Sequence, residues 1–144
     1  MKTIALRFGE NFAPSCGTIE AHNKYIHKYG EVWYGKFGAP LSDKVIKQVL
    51  ENGKAKILLI HSGTSNRYWA YIDSIQKDVP ELSRVPSYYH GEIKRIKTWF
   101  RVYRFEAADK GVMSKCTVLS SGASLSNASR HSMSPYFIIN YESE

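Results

Sequence analysis

The stretch "LLIHSGTSNRYWAYI" (Leu58–Ile72) decides how the chain is read. An apolar run ends at Ile60, and a second begins at Tyr68. Between them lie His61, Ser62, Gly63, Thr64, Ser65, Asn66 and Arg67. Continuous apolar runs of this length read as buried strands, and a short polar insert between them reads as a hairpin turn. Gly63 permits a tight turn or a close backbone approach. Turns are ordinarily rich in Gly, Asn, Ser and Thr, because these residues satisfy the reversing backbone. The insert therefore has two readings: a plain hairpin, or the lip of a pocket whose donors and acceptors meet a ligand edge.

Outward from the hairpin, further elements follow. "IKTWFRVYRFEAA" alternates and predicts a long strand, and "KCTVL" a short one. "SSGASLSNASRHSMS" is rich in serine and reads as a 15-residue loop, long enough to be functional. "PYFIINYE" is a closing strand that starts at Pro135. Towards the N-terminus, "EVWYGKF" predicts a strand and "DKVIKQVLEN" an amphipathic helix capped by Ser42. Before them, Thr18 is expected to cap a helix "IEAHNKYIHKY" that stops at Gly30. Residues 76–93 read as irregular, with Tyr88 and Tyr89 exposed. Adjacent antiparallel strands with one or two covering helices predict an α+β fold, a small, partly closed, mostly antiparallel β-barrel.

A chain of 144 residues supports one domain. No apolar run approaches the roughly 18–20 residues that span a membrane, and the N-terminus lacks the apolar core of a signal peptide. Cys16 and Cys116 have no metal-ligand spacing, and a cytoplasmic protein with free thiols is expected. The net charge of +7 supplies attraction to phosphates, and the 13% aromatic content supplies rings that can stack on bases. Together they favour a nucleic-acid partner.

Catalytic patterns are weak. His22 and His27 are five apart, which does not place two ligands on one helical face. Neither CxxC nor HExxH occurs, and no paired acidic motif suits two-metal chemistry. No cofactor is expected. Trp33, Trp69 and Trp99 each fall on a predicted strand, where core packing is the ordinary role of an aromatic residue. Trp33 and Trp99 are the better candidates for a cage around a flat ligand. "KRIKTWFRVYR" (Lys94–Arg104) sets Arg101 on one strand face and Arg104 on the other. It reads either as a phosphate-contacting edge or as an edge strand guarded by charge.

In chain order, "EVWYGKFG", "ILLIHSGTSNRYWAYIDSI", "TWFRVYRFEAADKGVMSKCTVL" and "SNASRHSMSPYFII" resemble the EVE domain and the related YTH domain of the PUA-like superfamily. Lys36 falls at the lysine of that family's Lys-Ser motif, with Phe37 where serine is usual. The resemblance covers roughly residues 30–140, and it implies a single domain over 1–144 with residues 1–29 as a loop-helix extension. It further implies a reader that takes a modified base, flipped from its strand, into an aromatic pocket. Trp33 and Trp99 would stack on the base. Lys36, His61, Ser62, Gly63, Asn66, Ser121 and Asn127 would line the site, under a closing 120–134 loop. Arg67, Lys97, Arg101 and Arg130 would contact the backbone. The partner would be modified DNA first and modified RNA second, as in prokaryotic restriction or phage defence, with an effector protein as a further partner. The rival readings are a small-molecule or protein-interaction sensor and a small histidine-dependent nuclease or hydrolase.

Overall fold

The structure is a computed structural model that describes residues 1–11 and 13–142. Seven strands form one sheet in the order β2-β5-β4-β3-β1-β7-β6. They are β1 (Lys2–Phe8), β2 (Val32–Phe37), β3 (Lys56–His61), β4 (Arg67–Gln76), β5 (Ile96–Ala107), β6 (Cys116–Val118) and β7 (Tyr136–Tyr141). Three helices, α1 (Thr18–Tyr29), α2 (Asp43–Leu50) and α3 (Leu125–His131), pack on it. The fold is α+β as expected. No pairing among the described residues joins β2 to β6, so the sheet stays open where a partly closed barrel was expected. No helix among those residues is long and apolar enough to cross a membrane.

The hairpin reading of Leu58–Ile72 holds. Strands β3 and β4 pair antiparallel, with Leu58 opposite Trp69 and Ile60 opposite Arg67. The main correction lies at the N-terminus. Residues 2–8, expected as part of a loop, form a strand inside the sheet. Strand β1 pairs parallel with β3 (Ala5 with Leu58, Phe8 with His61) and antiparallel with β7 (Ile4 with Ile138). Its residues Thr3–Leu6 are all buried. A strand covered on both faces does not alternate polar and apolar, and this one has only seven residues. The second correction lies in the serine-rich stretch. Ser124 accepts a hydrogen bond from the Asn127 amide at 3.2 Å and caps α3, so the expected loop contains a helix. Ser42 caps α2 as expected, accepting from the Val45 amide at 3.2 Å.

Each face of the sheet has its own core. On one face, Ile4, Leu6, Ile57, Leu59, Ile72, Phe100 and Val102 meet Ile19, Tyr25 and Ile26 of α1 and Val45, Ile46 and Val49 of α2. On the other, Ala5, Leu58, Ile60, Trp69, Phe137 and Ile139 meet Val112, Met113 and Leu125. A third cluster joins Trp33 and Trp99 to Ile96, Val85 and Tyr89 beside the β2 edge. Pro86 opens a 3-10 turn over Ser87–Arg95 that brings Tyr88 and Tyr89 to this edge. Tyr89 is 4% exposed, which corrects the reading of the tyrosine pair as surface.

Gly35 sits where β2 crosses this third cluster, opposite Trp99. A Cβ there would lie 2.7 Å from Ile96 Cγ2 and 3.3 Å from Trp99 Cζ3. Both neighbours are buried, so one of them must shift within the core. Gly35→Ala is expected to lower stability by about 1–3 kcal/mol, the usual cost of overpacking a filled core. Urea denaturation measures it, and an unchanged midpoint would mean that the Ile96–Trp99 layer has slack.

Candidate functional site

A pocket of about 180 Å³ opens between the ends of β1 and β2, the start of α1 and the Tyr88–Tyr89 turn. Phe8, Tyr34, Phe37, Tyr88 and Tyr89 give it aromatic walls, and Leu6 and Pro135 add apolar surface. Among the described residues, its charged lining side chains are Arg7 and Lys36, with no carboxylate. Sites that enclose drug-sized molecules measure about 300–1,000 Å³. This pocket therefore suits one flat ring and its substituents rather than an extended ligand.

Lys36 is 7% exposed. Its ammonium donates to the Ala39 carbonyl at 2.7 Å and lies 4.7 Å from the Tyr136 ring centroid. Burial pushes its pKa down. Burial also pushes the Tyr34, Tyr88 and Tyr89 phenols up, so all three stay protonated and can donate. Tyr89 Oη receives the Gly35 amide at 3.4 Å. Tyr88 Oη is buried, and the Thr18 and Tyr89 side chains are its polar neighbours, whose hydrogen bonding opposes the upward shift. The site thus combines ring faces, a buried phenolic donor and two cations. Such a set matches a planar ligand whose edge carries acceptors.

Glu10 ties the segment between β1 and α1 together. One carboxylate oxygen accepts from the Thr18 amide at 2.9 Å and the Thr18 hydroxyl at 2.7 Å. The other lies 3.1 Å from His61 Nε2. Thr18 is therefore the first residue of α1, capped from outside by Glu10, rather than the cap itself. A carboxylate at a helix N-terminus satisfies orphan amides and complements the helix dipole.

Among the residues expected at the site, Lys36 alone lines the pocket. His61 lies one layer behind, stacked flat on Phe8 at 4.8 Å and 7°. Ser62, Gly63 and Asn66 stay in the hairpin turn. The Ser62 amide donates to Phe8 O, the His61 amide to Asn66 O, and the Asn66 amide to Thr64 Oγ1. Gly63 supplies a φ of 78°. The backbone of the turn, Thr64 Oγ1 and the Arg67 guanidinium serve the turn, and none of its residues lines the pocket, which favours the plain-hairpin reading over the pocket lip. Trp99 is fully buried and Trp33 is 7% exposed, both in the core behind Gly35. Neither ring offers a face to a base, which corrects the cage expected from them. Ser121 borders a separate, wider depression with Val118, Leu119 and Tyr136. Asn127 is exposed on α3 and accepts from Arg130 at 2.9 Å. Arg67 donates to the Thr64 and Asn66 carbonyls. Arg101 pairs with Asp73 at 2.7 Å, and Lys97 is exposed.

Sequence reasoning missed Arg7, Phe8, Tyr34, Tyr88 and Tyr89. The adjacent tyrosines between Pro86 and the next strand were the available signal. Arg7 and Phe8 were hidden with the strand that carries them. Arg7 also holds the far wall, donating to the carbonyls of Ser129, Ser132 and Ser134 at 2.7–2.9 Å.

A family model described as Pua-like matches residues 4–134. The chain belongs to the PUA-like family. Neither the comparison with curated proteins nor that with solved structures returned a match. PUA-like domains are generally nucleic-acid-binding, which agrees with the basic charge of this one.

Behind the pocket of this PUA-like domain, His22 is fully buried against Tyr34 and Tyr89, at 5.1 and 5.5 Å between ring centroids. Its Nδ1 is 2.8 Å from the Thr18 carbonyl, which can only accept, so the proton sits on Nδ1. Its Nε2 is buried without a partner. Burial lowers the pKa from 6.5 to about 4 against the raising effect of that hydrogen bond. Between these values the unfolded chain binds more protons than the folded one. The contribution of His22 is therefore complete above pH 6.5 and is lost as pH falls towards 4. Across that window the loss is expected to reach about 3 kcal/mol. Urea melts of wild type and His22→Gln should diverge in slope over this range, and parallel profiles would assign the acid sensitivity to other groups.

Proposed function

We propose that this PUA-like domain is an EVE/YTH-type reader, which binds nucleic acid and takes one modified base, flipped from its strand, into the pocket between β1 and β2. The observation that carries this reading is the lining itself: among the described residues, five aromatic rings, two cations and no carboxylate around a space sized for one ring. Phe8, Tyr34 and Tyr88 are the stacking and packing surfaces in this reading, in place of Trp33 and Trp99. Lys36 and Tyr88 donate to the acceptor edge of the base. Arg7 and the net charge of +7 favour the approach of a polyanion.

Energetics support the exchange. Flipping a base costs a few kcal/mol, least for a base that is already weakly paired. Stacking on an aromatic side chain returns about 1–3 kcal/mol per base. Hydrogen bonds from a charged donor such as Lys36 add to this, being stronger than those between neutral groups. Modified DNA, in a restriction or phage-defence setting, is the first choice of ligand and modified RNA the second. No histidine lines the pocket, so the geometry gives less support to a histidine-dependent hydrolase.

Fluorescence anisotropy with matched oligonucleotides, plain and carrying methylated or hydroxymethylated bases, tests the proposal at two salt concentrations. Binding is expected to depend on modification and to weaken steeply with salt. Tyr88→Ala should cost about tenfold or more, in line with the loss of one stacking contact. Lys36→Met should weaken binding as well, whereas Lys97→Ala should act only through charge. Binding that ignores both the modification and Tyr88→Ala would reject the pocket as the reader.

A further inference from the structure

Lys56 begins β3 on the face of the sheet opposite the pocket. Its ammonium lies 4.2 Å from the Trp69 ring centroid, 5.3 Å from that of Tyr141 and 5.5 Å from that of Tyr71. The Trp69 and Tyr141 rings are 4.8 Å apart and inclined at 60°, so they form two walls of a corner rather than a stack. The third wall, Tyr71, is held by a hydrogen bond from its hydroxyl to Glu106 Oε1 at 3.0 Å. These groups come from three strands. Lys56 is opposite Tyr71 in the β3–β4 ladder, and Tyr141 closes β7. Backbone pairing therefore fixes the ring positions, as a preorganised site requires. Trp69 is 3% exposed beneath the Lys56 ammonium, while Lys56, Tyr71 and Tyr141 are half-buried, so Lys56 is the group that covers the Trp69 ring.

We propose that Trp69, Tyr71 and Tyr141 form a binding site for a quaternary ammonium group, and that Lys56 occupies it as a tethered ion until such a ligand displaces it. Ring faces attract cations through their quadrupoles, and cages of this kind are the usual receptors for quaternary ammonium heads. A primary ammonium is a poor occupant, because it is a compact, strongly hydrated charge that gives up water to enter. Burial accordingly lowers the Lys56 pKa, while the Glu106 carboxylate opposes the shift. A trimethylated head keeps its charge, has little water to lose and covers the rings with methyl groups. Glu106, at the rim, is paired with Arg104, which lies over Tyr71 at 5.0 Å, and its carboxylate also acts on the Lys56 ammonium. The four-carbon stem of Lys56 lets its head swing to solvent without moving the strand. The site is independent of the nucleic-acid reading, since it lies on the other face of the sheet.

The test titrates choline and acetyl-trimethyllysine amide into wild type, Lys56→Ala and Lys56→Ala/Tyr71→Leu, following indole proton shifts by NMR. The uncharged choline isostere 3,3-dimethylbutanol is the control. Circular dichroism verifies folding, and Tyr71 is chosen because replacing the deeply buried Trp69 endangers the fold. Lys56→Ala is expected to bind a quaternary head about tenfold more tightly than wild type, and Tyr71→Leu to reverse the gain. Binding of either head supports the site, and the tighter of the two names its source. A folded Lys56→Ala protein that binds neither, or that binds dimethylbutanol equally well, overturns the proposal. So does a gain that Tyr71→Leu leaves intact.

Discussion

The parallel pairing of β1 with β3 is the constraint on which the rest depends. It sets β1 between β3 and β7 and so joins the β2–β5–β4–β3 part of the sheet to the β7–β6 part. It also divides the residues of β1 between two cores, Ile4, Leu6 and Phe8 on one face and Ala5 on the other. The register delivers Phe8 opposite His61, and the Ser62 amide then continues the ladder onto Phe8 O. One strand end thereby supplies a pocket wall, the support behind that wall and the anchor of the hairpin turn. Arg7, on the same face as Ala5, reaches the carbonyls of Ser129 in α3 and of Ser132 and Ser134 beyond it, and holds the opposite rim. A shift of β1 by one residue would exchange all of these side chains between faces.

Much of the fold was legible because most elements follow one pattern. The strands β2 to β5 and the closing strand carry their runs openly, and Ser42 and Gly30 mark helix ends by their own chemistry. Strand β1 was not legible, because a short strand covered on both faces shows no period to separate it from any apolar stretch. Helix α3 was hidden by its serines, which are poor helix formers yet good caps; Ser124 is the residue that starts it. The site was less legible than the fold. Lys36 was found from a resemblance, while the tyrosines that share its pocket come from a turn that no local pattern predicts.

The exchange of roles between tryptophan and tyrosine has a physical reason. Trp33 and Trp99 lie on the same face of β2 and β5, and Gly35 between them allows close packing. Large rings in such a layer gain most by complete burial, even though Trp99 Nε1 is left without a partner there. Tyr34, Tyr88 and Tyr89 are packed as closely on one side, but each keeps a hydroxyl that prefers company. Trp33 and Trp99 carry an N–H as well, so placement separates the two groups: the tyrosines line the pocket, and the tryptophans lie behind Gly35.

The same distinction bears on the basic, aromatic composition. Many cations of this chain lie over its own rings: Arg84 over Tyr29 at 3.8 Å, Arg101 over Trp33, Arg104 over Tyr71, Arg7 over Phe137, Lys56 over Trp69. A ring face covered by a side chain cannot also stack on a base. Covering does not neutralise charge, however, and the net +7 persists outside the molecule. The electrostatic half of the compositional signal thus survives folding while much of the stacking half is spent internally. Attraction to a polyanion is a property of the whole surface. In that reading, recognition of one base falls to the pocket rings, which among the described residues stand beside Arg7 and Lys36 and no carboxylate.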